Sequence, residues 1–305
     1  MKRTMLNDLN LSQGKRTRLH RMLYEHGPGN GTLLLLPLDH GVEHGPIDFF
    51  PNPPSGDPDY QCQLARDGGY SGIVFHIGLA EKYMHDYAGE VPLVLKINGR
   101  PHIPPDDRPL SAQDATVEDA VRLGADAVGY TLYVGSPRQD EDFVQLMNVR
   151  GECERYGMPL IIWSYPRGEA IGKKGGHDSI YAVDYAARLA NEVGADVVKL
   201  NVPAFRDPGN EQSPEPYREL YREWKELDEN EAYRRATEKV VASAGKTMVL
   251  FSGGSKISDE DLLTKARICM ESGATGLIFG RNMWQRPLDD GLQITEQVKD
   301  VLLSS

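Results

Sequence analysis

Eight short apolar runs recur along the chain, at Thr32–Leu38, Gly72–His76, Leu93–Ile97, Ala127–Tyr133, Leu160–Trp163, Val197–Val202, Thr247–Phe251 and Gly276–Phe279. Most are nearly unbroken in hydrophobicity, as parallel strands covered on both faces require. Amphipathic stretches of helical length separate them, at Asp59–Asp67, Val117–Leu123, Asp140–Tyr156, Ser179–Val193, Glu231–Ala244, Asp259–Glu271 and Asp289–Leu302. Pro58 suits the first turn of the first of these. Gly124, Gly157, Gly194, Gly245 and Gly273 stand where a helix closes in left-handed geometry before the next strand. The turn phrase recurs as LGADAV, VGADVV and SGATGL.

This alternation predicts an α/β fold, a single (β/α)8 TIM barrel spanning residues 1–305, with a doubly wound open sheet as the competing arrangement. Residues 1–30 read as a helical extension ahead of the barrel. Two stretches break the rhythm. Pro46–Pro58 follows strand 1, and a 203–230 insert, acidic and Pro-containing over Pro203–Asp228, follows strand 6. Both are expected as extended βα loops on the C-terminal face, where barrels build active sites. Tyr217–Leu227 reads as an added helix within the second.

Composition narrows the partners. The 305 residues carry 45 acidic and 34 basic side chains, a net charge of −11. Such a surface repels nucleic acid and anionic lipid, so neither is an expected partner. Three scattered cysteines, Cys62, Cys153 and Cys269, fit a reducing compartment. No long apolar run opens the chain, and Leu33–Leu36 is far too short to span a bilayer. A cytoplasmic location is the expectation.

In a barrel the strand ends converge on one mouth, so chemistry is sought there. Strand 6 places Lys199 in the apolar run DVVKLN. Desolvation lowers a lysine's pKa, and a neutral amine can attack a carbonyl to form a Schiff base. Lys96, in LVLKING, is the rival amine or a charged helper. Strand 5 runs into Trp163-Ser164-Tyr165-Pro166-Arg167. The Tyr165 phenol can move protons if a positive neighbour tunes it toward neutrality. Trp163 reads as core or as a wall of the site. Strand 1 ends at Asp39, costly to bury without partners, followed by His40, Glu43 and His44. This Gly-containing stretch reads as a loop, so the four-residue spacing of His40 and His44 does not put both rings on one face. Strands 7 and 8 end in SGGSK and GRN, turns whose backbone N–H groups suit phosphate, through Ser252, Gly253, Gly254, Gly280 and Arg281.

Taken together, LDHGVEHGPIDF, ARDGGYSGIVFHIGLAEKY, VPLVLKING, AVGYTLYVGS, WSYPRG, GADVVKLN, SGGSK and GRNMWQR run in order from about residue 33 onward. This set resembles the archaeal-type class I fructose-bisphosphate aldolases. The resemblance implies Lys199 as the Schiff-base lysine, Tyr165 as the proton-transfer residue and Asp39 as an assistant at the carbinolamine. It implies Trp163 shaping the site and the strand 7 and 8 turns holding the ketone-side phosphate. Arg167 is assigned to the far phosphate and Lys96 to a supporting position. The implied partner is a phosphorylated sugar, with no metal or other cofactor, in a cytoplasmic homo-oligomer serving glycolysis or gluconeogenesis. Asn201 departs from the pattern, standing where some relatives carry a second basic residue.

Three alternatives stay open. One is a related transaldolase-type enzyme such as 2-amino-3,7-dideoxy-D-threo-hept-6-ulosonate synthase. The second is a metal-dependent aldolase using His40, His44 and His76 with Glu43. The third is a non-catalytic phosphosugar-binding barrel.

Overall fold

A computed structural model describes residues 2–305. Eight parallel strands close a barrel: β1 (Leu33–Pro37), β2 (Gly72–His76), β3 (Leu93–Lys96), β4 (Ala127–Val134), β5 (Leu160–Pro166), β6 (Val197–Leu200), β7 (Met248–Ser252) and β8 (Gly276–Ile278). Neighbours pair in sequence order, and β1 pairs with β8 to complete the ring. The open sheet is thereby excluded. The helices are α1 (Gln13–His20), α2 (His40–His44), α3 (Pro58–Asp67), α4 (Ile77–Tyr83), α5 (Val117–Arg122), α6 (Gln139–Tyr156) and α7 (Glu169–Gly172). They continue with α8 (Ile180–Glu192), α9 (Tyr217–Trp224), α10 (Glu229–Ser243), α11 (Asp259–Glu271), α12 (Arg281–Trp284) and α13 (Leu288–Leu303).

Strand alternation sorts the side chains. Leu33, Leu35, Val74, Val94, Ala127, Ile161, Trp163, Val197, Met248, Leu250 and Ile278 form one buried cluster inside the barrel. The opposite set packs outward under the helices in a second, larger core. Leu6, Leu19, Met22 and Leu23 join the inner cluster, so the N-terminal segment plugs one end of the barrel. Buried Lys15 fastens this plug through ion pairs with Asp196, at 2.9 Å, and Glu154. The other end remains open as the mouth.

The five glycines expected at helix ends all have positive φ, from 58° at Gly245 to 96° at Gly273. Several short elements escape the hydrophobic pattern. Helix α4 starts directly after β2, and its N-cap His76 makes no side-chain capping bond, so no start signal precedes it. The stretch after Asp39, expected as a loop, is the single-turn helix α2, closed by Gly45 at φ 69°. An antiparallel ribbon of Asn98–Gly99 with Ala112–Gln113 brackets the loop after β3. Beyond β6, Phe205, Tyr221 and Trp224 pack with Ile180, Ala232 and Ala236 into a separate small core. The helix expected there over Tyr217–Leu227 ends at Trp224.

Candidate active site

The residue at each inner strand position next to the mouth builds the site. On β6 the inward register that buries Val197 also turns Lys199 inward, and on β3 Val94 is followed in the same way by Lys96. Lys96 is 0% and Lys199 5% exposed. Trp163 lies opposite Lys199 in the ladder, and both ammonium nitrogens stand over its ring, at 5.0 Å for Lys199 and 5.3 Å for Lys96. Lys199 is also 5.5 Å from the centre of the Tyr165 ring. Gly129 makes this stack possible, because a Cβ there would meet Trp163 at 2.8 Å and Lys96 at 3.0 Å.

Asp39 follows β1 at the same depth. Its carboxylate reaches Nζ of Lys96 at 3.7 Å and Nδ1 of His40 at 3.7 Å. Burial alone would raise its pKa. The charges of Lys199, Lys96, His40 and His76 outweigh that and hold the carboxylate well below its ordinary range. Burial also lowers Lys199, to about 8, with Asp39 and Glu43 opposing and Lys96 and Arg281 assisting. The ammonium still dominates at pH 7, but the neutral minority is far larger than an ordinary lysine offers. Lys96 donates to the Asn98 carbonyl at 3.0 Å and contributes positive charge from beneath.

Tyr165 departs from expectation. Its phenol is not tuned toward neutrality in the free protein: burial raises its pKa, and the carboxylates of Glu43 and Asp39 raise it further. The resting group is a proton donor.

A cavity of about 340 Å³ opens above these groups, lined by Asp39, Tyr165 and Lys199 at its base. Its lining also includes Ser252, Gly253, Gly254, Ser255, Gly280 and Arg281 from the β7 and β8 turns, and Glu43, His44, His102 and Arg167 from the other loops. Trp163 and Lys96 lie under the base rather than on the lining. Asn282, buried behind the turns, receives the Ile257 N–H at 3.0 Å and donates to the carbonyls of Gly253 and Ser255 at 3.4 and 3.2 Å. That ties the β7 and β8 turns into one frame. A Cβ at Gly253 would stand 2.9 Å from the Asn282 amide, and Gly254 adopts φ 67°. Arg281 has a buried Nε with no acceptor among the described residues and a distant pairing to Asp48 at 3.8 Å. The β7 and β8 turns form a cationic, amide-lined cradle of the kind that holds a phosphoryl group. Arg167 stacks on Tyr165 at 5.3 Å and donates to the Pro166 carbonyl at 2.8 Å.

A family model described as DeoC/LacD family aldolase matches residues 33–286. The chain belongs to the DeoC/LacD aldolase family. Among its relatives, the class 1 fructose-bisphosphate aldolase of Thermoproteus tenax is 40% identical over 257 residues, covering 84% of each chain. The enzyme of the same name from Halobacterium salinarum is 35% identical over 257 residues, 84% of this chain and 86% of that one. Among solved structures, an archaeal fructose-1,6-bisphosphate aldolase with its catalytic lysine covalently bound to the carbinolamine intermediate is 36% identical. It superposes with a TM-score of 0.77 over 93% of this chain and 99% of that one.

In this aldolase-family site Asn201 and Glu43 take positions that strand-end reasoning did not assign. Asn201 donates to Asp178 at 2.7 Å and accepts from Ser252 at 2.8 Å, linking the β5, β6 and β7 loops. Glu43 bears on both Lys199 and Tyr165. The histidine grouping that the metal-dependent alternative would need is rearranged. His40 packs edge-on against Trp284 at 5.4 Å, and His76 faces Asp114 at 2.9 Å. Of these three histidines, His44 groups with Glu43, and His102, from the loop after β3, joins them.

Proposed function

We propose that the protein is a class I fructose-bisphosphate aldolase, a lyase that reversibly cleaves fructose 1,6-bisphosphate to dihydroxyacetone phosphate and glyceraldehyde 3-phosphate. The observation that carries this reading is Lys199: a buried amine with a pKa near 8, beside Asp39 and Tyr165, under a glycine-lined anion cradle. The similarity to class 1 aldolases from two archaea and to a lysine-bound carbinolamine structure supports the same chemistry.

In this reading the neutral Lys199 attacks the C2 carbonyl. The Asp39 carboxylate takes a proton from the attacking nitrogen and passes it to the carbinolamine oxygen, which leaves as water with a second proton from solvent, and the product is an iminium. The iminium's charge drives the Tyr165 phenol proton off to water in the cavity, and the phenolate takes the 4-hydroxyl proton as the iminium draws electrons from the C3–C4 bond. The bond breaks, the aldehyde leaves, and an enamine remains. Tyr165 returns a proton to C3, and water releases dihydroxyacetone phosphate. The iminium supplies the electron sink, so the route requires no metal. Ser252, Gly253, Gly254, Gly280 and Arg281 hold the ketone-side phosphate, Arg167 the far one, while Lys96 and Trp163 support Lys199 from below. We extend the reading to a cytoplasmic homo-oligomer in glycolysis or gluconeogenesis. The three buried free cysteines and the half-exposed Val144 and Met147 on α6 support that extension.

Borohydride trapping tests it. EDTA-treated protein is incubated with fructose 1,6-bisphosphate or dihydroxyacetone phosphate, reduced, and mapped by peptide mass spectrometry. A stable adduct on Lys199 is expected. An adduct on Lys96 would move the site, and none at all would discard the mechanism.

A further inference from the structure

At the rim of the mouth, one ligand atom from each of Glu43, His44 and His102 lies within 4.8 Å of the other two. We infer that these three side chains form a binding site for a first-row divalent cation, zinc foremost, on the rim of the cavity whose base holds Lys199.

The three come from two segments that the backbone locks together. Glu43 and His44 sit on the single turn of α2. His102 sits on the loop after β3, and its backbone N–H donates to the Glu43 carbonyl at 2.8 Å. Arg100, itself buried, holds that loop by donating to the carbonyls of Pro104 and Pro105 at 2.9 and 2.6 Å and to Asp106 at 2.8 Å. The imidazoles of His44 and His102 approach to 4.8 Å between centroids.

A second observation points to a ligand. Nδ1 of His44 meets the Asp48 carboxylate at 2.6 Å. That contact favours the proton on Nδ1 and leaves Nε2 with its lone pair. A carboxylate behind a ligating histidine is the usual outer support of a metal site, since it fixes the tautomer and raises the basicity of the other nitrogen. Two imidazoles and a carboxylate suit zinc, with ligand bonds of about 2.0–2.2 Å. Tetrahedral ligands at that length stand roughly 3.4 Å apart. Closing from the 4.8 Å limit to that spacing takes at most about 1.4 Å per pair, within reach of side-chain rotation. With three protein ligands, a fourth position remains for water or a solute oxygen from the cavity. The iminium forms on Lys199 and not on any of the three, so cation binding and adduct formation can be read out separately.

The test uses the full-length protein, stripped with EDTA and gel-filtered, with zinc titrated against a chromophoric chelator. One zinc per chain is expected, with affinity falling at least tenfold in His44→Ala and in His102→Ala. Circular dichroism checks that both variants remain folded. Cobalt substitution in the unaltered protein gives a second readout: visible d–d bands of nitrogen–oxygen coordination, without thiolate charge transfer. Lys199→Ala is expected to bind zinc normally while losing the borohydride adduct, so failure of either reading is distinguishable from failure of the other. No stoichiometric zinc, affinity unchanged in both histidine variants, or a thiolate-type cobalt spectrum would overturn the assignment.

Discussion

At the scale of single residues, the site turns on one amine whose charge is adjustable. With Lys199 near 8 rather than 10.5, the neutral fraction grows steeply between about pH 7 and 9. The rate of borohydride-trappable adduct formation is expected to rise over that interval and level off above it. A flat profile would mean that the attacking amine is not this one. The same shift acts on stability. The folded chain binds fewer protons than the unfolded chain between about pH 8 and 10.5. Lys199 thus weakens the fold at neutral pH, and that cost declines as pH rises through the window. Tyr165→Phe is expected to retain the Lys199 adduct but slow carbon–carbon cleavage by roughly 10²–10⁴-fold. Stopped-flow cleavage assays beside trapping would separate the two steps, and equal loss in both would assign the phenol to binding instead. Lys199, Tyr165 and Asp39 were legible because strand alternation and a polar residue at an apolar strand end are both local signals. Glu43 was legible only as a possible metal ligand and His102 not at all, since their grouping depends on loops brought together from 59 positions apart in sequence.

At the scale of elements, the strands were easier to read than the short helices between them. A strand buried on both faces announces itself by an unbroken apolar run, and the long helices by caps and glycine stops. Single-turn helices such as α2 have too few residues to show periodicity, which is why DHGVEHG reads as a loop. The ladder itself hides a requirement in Gly129. Any side chain there intrudes on Trp163 and Lys96, and both belong to the stack under Lys199. Gly129→Ala is expected to destabilise the fold by about 1–3 kcal/mol, as overpacked cores do, and to slow adduct formation at Lys199. Thermal unfolding read alongside trapping would check this. A variant that lost stability yet trapped at the normal rate would show that the stack does not set the lysine's reactivity.

At the scale of the molecule, the barrel and the insert after β6 are stabilised by different cores. The inner and outer barrel clusters share no buried residue with the small core around Phe205, Tyr221 and Trp224. Polar contacts add to its attachment: Tyr217 donates to Asp184 at 2.6 Å, and Asn210 accepts from the Ile180 N–H at 3.0 Å. The sequence pattern located this segment and its helix, but not its packing, because its apolar partners on α8 and α10 read simply as barrel-facing positions. Two separate cores imply two stabilities. Trp224→Ala removes a large side chain from the small core, a change worth about 3 kcal/mol or more where it is fully packed. It is expected to open the 203–230 segment to proteolysis while leaving the main unfolding transition nearly in place. Limited digestion followed by mass spectrometry would locate the cuts. If the main transition fell by the full amount with no local cleavage, the insert would be folding as one cooperative unit with the barrel. It would then contribute to holding Asn201, and through it the Ser252 side of the anion cradle, in position.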